Sequence, residues 1–209
     1  MPLATTYKSA IPAELDKDGE YDKFGDAFRK FVTGFFDIIQ VFVIAMAIFT
    51  VVYLWILSPH QVKGRSMDPT FKDRELLLAE KITVKLNKLK RGDVIVFKFN
   101  DRQDHIKRII GLPGDRVMIK NGKVYINGNV LNEDYLPPNT ITTGHEFMRE
   151  GVEYQVPPNC FIVMGDNRAV SYDSRDYGFL NIAEHTIKGR AWIVFWPFEN
   201  YRVVKRENG

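Results

Sequence analysis

The chain has 209 residues, a formal net charge of +3, 45% apolar residues and 26% charged ones, a balance that suits one folded domain of ordinary size plus an appendage. So small a charge, with no compact basic stripe, argues against a nucleic-acid partner and permits only a mild attraction to an anionic membrane surface. The single cysteine, Cys160, excludes an internal disulfide. Followed by Phe161, Ile162 and Val163, it reads as a buried strand residue rather than a nucleophile.

Residues 1–30 are polar and mixed in charge, with acids at Glu14, Asp16, Asp18, Glu20 and Asp22, and read largely as a mobile tail. The composition then changes sharply. From Ile38 to Leu57 the chain runs IIQVFVIAMAIFTVVYLWIL, with only Gln40 and Thr50 polar and no charge. About twenty such residues in a helix span about 30 Å, the thickness of a bilayer core. Tyr53 and Trp55 stand near one end, where amphipathic rings favour the interface. Ala45-Met46-Ala47 has the look of a signal-peptide cleavage site, but apolar sequence continues for ten residues beyond it, so the segment reads as an uncleaved anchor. Lys23, Arg29 and Lys30 precede the span and Lys63, Arg65, Lys72 and Arg74 follow it, so positive charge does not decide its orientation.

The rest of the chain reads as β-rich. Val94-Ile95-Val96-Phe97 is a short apolar run after Arg91-Gly92-Asp93, and Val124-Tyr125-Ile126 and Val130-Leu131 flank Asn127-Gly128, a strong hairpin signal. Phe161–Met164 and Ala191–Trp196 are further predicted strands, and residues 74–90 suit either a short helix or another strand. The segment 117–158, rich in turns and carrying Pro137-Pro138 and Pro157-Pro158, reads as an insertion or subdomain. The predicted organisation is a tail at 1–34, a transmembrane anchor helix at 35–58 and a β-rich domain at 59–209.

Three motifs carry chemistry. Gly64-Arg65-Ser66-Met67-Asp68-Pro69-Thr70 begins soon after the span; a serine near Gly and three before Pro suits a tight turn that presents Oγ and directs backbone N–H groups at one point. In His105-Ile106-Lys107-Arg108-Ile109-Ile110, a lysine sits within an apolar strand, closed by Pro113-Gly114-Asp115. At an ordinary pKa of about 10.4 only about one lysine in 2,500 is neutral at pH 7, and burial lowers that pKa toward a usable base. His105 shares a strand face with Lys107 and is expected to perturb it. Finally, Gly165-Asp166-Asn167-Arg168 and Ser171-Tyr172-Asp173-Ser174-Arg175 pack acids and arginines at a density that can hold loops rigidly around a site.

In content, order and approximate spacing these motifs, the preceding anchor and Arg91-Gly92-Asp93-Val94 resemble the bacterial type I signal peptidases, over roughly residues 35–200. The resemblance implies a fold of twisted antiparallel sheets after one membrane helix. It implies Ser66 as nucleophile, Lys107 as general base, Ser171 as the hydroxyl that orients the lysine amine, and Arg108, Asp166, Arg168, Asp173 and Arg175 as support. The Ser66 N–H becomes one oxyanion donor; where some members place a second hydroxyl donor, this chain has Gly64. It further implies acyl transfer to Ser66, no metal or organic cofactor, secreted preproteins with small residues one and three positions before the cut as substrates, protein-export machinery nearby, and a single-pass protein of the plasma membrane with its catalytic domain on the extracytoplasmic side.

Nine extended residues reach only about 30 Å, so Ser66 must work close to the anchor. Met67, Phe71, Trp192 and Trp196 are candidates for membrane or substrate contact, although the two tryptophans equally suit core packing. The rival readings are a Ser–His–Asp hydrolase using His105, His145 or His185, a self-cleaving repressor with a Ser–Lys pair, and a catalytically dead binding module. The first lacks a Gly-x-Ser-x-Gly elbow, and the last is at odds with the presence of both Ser66 and Lys107.

Overall fold

A computed structural model describes residues 17–100 and 103–206, with side chains for 28–99 and 103–206. It divides into two units, residues 1–50 and 51–209. The expected tail lies outside the described residues as far as residue 16. From Lys17 onward it is helical: α1 runs Lys17–Trp55, 39 residues, and so begins well before residue 35. No proline interrupts residues 17–55, and extending an existing helix costs far less than nucleating one. Within α1, Phe28–Trp55 is long and apolar enough to cross a membrane. The Thr50 hydroxyl donates to the Met46 carbonyl at 2.8 Å, so its polar group is satisfied within the helix.

The strands of the second unit are β1 (Leu57–Gln61), β2 (Leu76–Glu80), β3 (Val94–Asn100), β4 (Gln103–Gly111), β5 (Arg116–Lys120), β6 (Lys123–Ile126), β7 (Asn129–Val130), β8 (Glu153–Gln155), β9 (Cys160–Met164), β10 (Ile182–Ala183), β11 (Ile187–Trp196) and β12 (Arg202–Val203). The larger sheet has the order β1-β2-β11-β3-β4-β9-β10, with β12 also on β11; the smaller has the order β7-β6-β5-β8. All these strand pairings are antiparallel. The fold class is therefore the expected one, a helix followed by an antiparallel β domain. Residues 74–90 supply both alternatives, strand β2 and a short helix α2, Ile82–Lys85.

Turn chemistry sets the smaller sheet. Asn127-Gly128 joins β6 to β7 with φ of 51° and 85°, the geometry that a two-residue hairpin loop demands. Asn121-Gly122, at φ 52° and 76°, does the same between β5 and β6. The two faces of the larger sheet bury separate clusters: Val94, Val96 and Ile106 pack with Met67, Phe71 and Leu77, while Ile95, Phe97 and Ile109 pack with Phe161, Val163 and Phe179. This is strand alternation at work.

Met67 and Phe71 are thus core residues, 1% and 0% exposed, and not contacts for a membrane or substrate. Trp192 and Trp196 go the other way, at 38% and 47% exposed: Trp192 continues the outward face of Lys188 and Arg190, opposite the buried Ile187, Gly189 and Ala191. Cys160 stands at the first residue of β9, only partly buried.

Candidate active site

The serine loop is anchored at both ends and along its length. Val62 N–H donates to the Glu75 carbonyl and Arg74 N–H to the Val62 carbonyl, closing residues 63–73 into one excursion. Gly64 turns the chain at φ +84°, a conformation that favours glycine, and its N–H donates to Asp73 Oδ1 at 2.7 Å. Met67 and Phe71, linked by the Phe71 N–H to Met67 carbonyl bond, fix the loop to the core. Ser66, between Gly64 and Met67, stays partly exposed, and its N–H has no intramolecular acceptor among the described residues.

β4 brings the lysine. Its outer residues are exposed and the strand becomes buried from Ile106 onward. Lys107 is 3% exposed and its Nζ lies 2.7 Å from Ser66 Oγ. Burial pushes its pKa from 10.5 down to about 8, against the opposing pull of Asp173 and Asp166, with Arg175 adding to the fall. The expected influence of His105 runs in reverse. Burial and the Lys107 charge lower the His105 pKa, so the imidazole is neutral where Lys107 titrates and exerts no charge on it.

The third motif holds the first two together. Asp166 receives Arg108 in a fork, Nε at 2.8 Å and Nη2 at 2.6 Å, and also accepts the Thr70 hydroxyl at 2.6 Å. One carboxylate thereby ties the serine loop to the residue next to Lys107. Asn167 N–H and Nδ2 donate to the Ser66 and Arg65 carbonyls. Asp173 takes Arg175 at 2.8 and 3.0 Å together with the Gly165 N–H, and these partners hold its carboxyl below the usual range despite the opposing effect of burial. Arg108, Asp166, Asp173 and Arg175 are all buried, where breaking one member of a pair costs about 3–5 kcal/mol. Asp166→Asn is therefore expected to lower stability by about that amount, read as the urea midpoint.

Arg168 reaches away from Ser66: Nε donates to the Gly165 carbonyl, Nη1 to Thr142 Oγ1 at 2.6 Å, and the guanidinium pairs with Glu133. Tyr135 lies under the Arg108 guanidinium at 4.0 Å and donates to Glu133. Glu133, Tyr135 and Thr142, which clamp these arginines, are absent from the sequence-based candidates; they stand in a turn-rich segment with no motif of their own. Thr70 is expected only as part of the serine motif, and its bond to Asp166 is a feature of the fold.

Ser171 is brought to the site but does not bond the lysine: its Oγ is buried, and the hydroxyl lies near enough to Asp173 to help hold that carboxyl low. A Cβ added at Gly165 would fall on Ser171 Oγ and the Ser66 carbonyl. Glycine is required there by close approach, not by φ. Gly165→Ala is expected to cost about 1–3 kcal/mol of stability and, by displacing Ser66, at least about ten-fold in activity; equal stability and activity to wild type would contradict this packing.

A groove of about 530 Å³ opens at Ser66 and Lys107, lined by Pro59–Lys63 and Gln103–Lys107. Val62, Leu77, Val96 and Ile106 supply apolar lining. A second serine has an imidazole beside it: Ser58 Oγ is 3.0 Å from His60 Nε2, and His60 Nδ1 is 3.3 Å from Asp104. Ser58 is buried and does not line the groove, so the hydroxyl offered there is that of Ser66. His145 pairs with Asp176 at 2.9 Å. Among the described residues, no three His, Cys, Asp or Glu side chains gather as a metal site.

The family model for signal peptidase, peptidase S26, matches residues 35–196. Signal peptidase I of Bacillus caldolyticus is 38% identical over 165 residues, 76% of this chain and 90% of that protein. Signal peptidase IB of Staphylococcus aureus is 36% identical over 170 residues, 76% and 88% of the two. A crystal structure of a signal peptidase I from Enterococcus faecalis overlaps 49% of this chain and 96% of its own at 32% identity and a TM-score of 0.41. The chain is a serine endopeptidase by class. Within that class it belongs to the signal peptidase family, peptidase S26.

Proposed function

We propose that this protein is a membrane-anchored endopeptidase that removes signal peptides from secreted preproteins, with Ser66 as nucleophile and Lys107 as general base. The observation that carries the reading is the buried Lys107 amine 2.7 Å from the Ser66 hydroxyl, with its pKa held near 8. At that value about one amine in ten is neutral at pH 7.

Neutral Nζ takes the Oγ proton as Oγ bonds to the scissile carbonyl carbon. The C–N bond then breaks and Nζ returns the proton to the leaving amine, freeing the mature protein. A water gives its proton to Nζ and attacks the ester; Oγ regains a proton as the signal peptide leaves. The unpartnered Ser66 N–H is an oxyanion donor. Gly64 contributes the turn and no hydroxyl. Ser171, whose Oγ is buried close to Gly165 beside the Ser66 carbonyl, is the hydroxyl that orients the amine in this reading. Arg108, Asp166, Arg168, Asp173 and Arg175 hold the geometry, and no step draws on a metal or organic cofactor.

Small substrate side chains one and three positions before the cut fit the apolar lining of the groove. The apolar part of α1 is the bilayer anchor, spanning once and ending at Trp55 rather than at 58, because Leu57 already pairs in β1; residues 1–34 lie on the cytoplasmic side and the β domain outside, near the export machinery, with 117–158 as a subdomain. Exposed Trp192 and Trp196 suit the membrane interface. Cleavage of a reporter preprotein in detergent, with sequencing of the new N-terminus, tests the reading: a cut directly after a small-x-small tripeptide is expected, and a cut unrelated to such a site contradicts it.

A further inference from the structure

Small side chains before the cut account for the apolar lining of the groove but not for its charge. Besides Lys107, its lining includes Lys63, Lys98 and Lys188, together with one carboxylate, Asp104. Lys188 lies at the register shift between Ile187 and Gly189 in β11, and its Nζ is 2.6 Å from Asp104 Oδ1. The other Asp104 oxygen faces His60 Nδ1 at 3.3 Å; burial lowers the His60 pKa, so that imidazole adds little charge of its own at neutral pH. Asp104 is therefore matched by Lys188. Lys63 is exposed, directly precedes the Gly64 turn and stands three residues before Ser66. It makes no ion pair among the described residues. The groove beside the nucleophile is thus bordered by lysines, Lys63 and Lys188 among them, against a single carboxylate, Asp104.

We propose that this basic rim selects substrates with an acidic side chain about three to four residues from the scissile bond, a specificity that rests on the signal-peptidase reading above. Asp104, which holds Lys188, lies three residues from Lys107 along β4, about 10 Å at the strand rise, and an extended substrate covers that distance in about three residues. Lys63 stands at the same sequence separation from Ser66 and also lines the groove. A substrate carboxylate at that distance meets Lys63 directly, or shares Lys188 with Asp104.

The test uses the full chain in detergent and a series of signal peptides sharing one small-x-small site, with Glu, Gln or Lys placed singly at each position from about five before to five after the cut, outside the two small positions. The expected result is a kcat/KM about three- to ten-fold higher for Glu than for Gln at a position three to four residues from the cut, as for one or two partly exposed ion pairs, shrinking at about 0.5 M salt. The Glu-to-Gln ratio is expected to fall to one or below in Lys63→Glu with Lys188→Glu, and toward one in the milder Lys63→Gln with Lys188→Gln. Equal rates for Glu and Gln throughout, or a ratio that survives in both double variants, overturns the proposal while leaving the peptidase reading intact. Failure of wild type to cleave any member removes that reading, and this inference with it.

Discussion

Ser66→Ala and Lys107→Ala are each expected to lower kcat/KM for preprotein cleavage by at least about a thousand-fold, and the double variant is expected to be no worse than either single one. In the proposed mechanism the two groups, 2.7 Å apart, share one proton transfer, so removing either removes the step. Lys107→Arg is expected to fail as completely, because a guanidinium does not give up its proton at usable pH. The fold is expected to persist in Ser66→Ala, since the loop is held by Met67, Phe71 and the Asp166–Thr70 bond rather than by the serine hydroxyl. Thermal melts read beside the rates separate a chemical loss from an unfolded sample.

The second large effect is on pH dependence. With Lys107 near 8 in the folded chain, kcat/KM is expected to rise about ten-fold per pH unit below that value and level off above it. The same amine affects stability. Its pKa is 10.5 when unburied and about 8 when folded, so the unfolded chain binds the proton more tightly. Below about pH 8 this costs the folded state about 3 kcal/mol, and the cost fades as pH climbs from about 8 to 10.5. Lys107→Met is therefore expected to be inactive yet no less stable than wild type at pH 7, with the difference narrowing toward about pH 10 in urea titrations. A variant much less stable at pH 7 would mean that the buried amine is not the strained group described here.

Much of this is legible in the sequence because the signals are local. An uncharged run of twenty residues, Ile38 to Leu57, announces a helix of membrane length, and Asn127-Gly128 fixes a hairpin by backbone preference alone. Asn121-Gly122 carries the same local signal for the turn between β5 and β6, although it is not among the predicted hairpins. Other features depend on what folding brings together. Nothing near Glu133 or Thr142 foretells Arg168, which reaches them across 35 and 26 residues of sequence. Parity groups Trp192 and Trp196 on one face, as found, but whether that face is covered depends on what packs against β11. The helix start at Lys17 is hidden because polar residues suit an exposed helix as well as a tail. In the site, the motifs name Ser66 and Lys107, but only the three-dimensional arrangement shows one carboxylate, Asp166, joining the serine loop to Arg108.

The most direct measurement is to quench the enzyme in acid within the first turnovers of a signal peptide and map the covalent adduct by peptide mass. An ester on Ser66 in wild type, absent in Lys107→Ala, is the expected result. An adduct on another residue, or one on Ser66 that forms as fast without Lys107, would contradict the dyad.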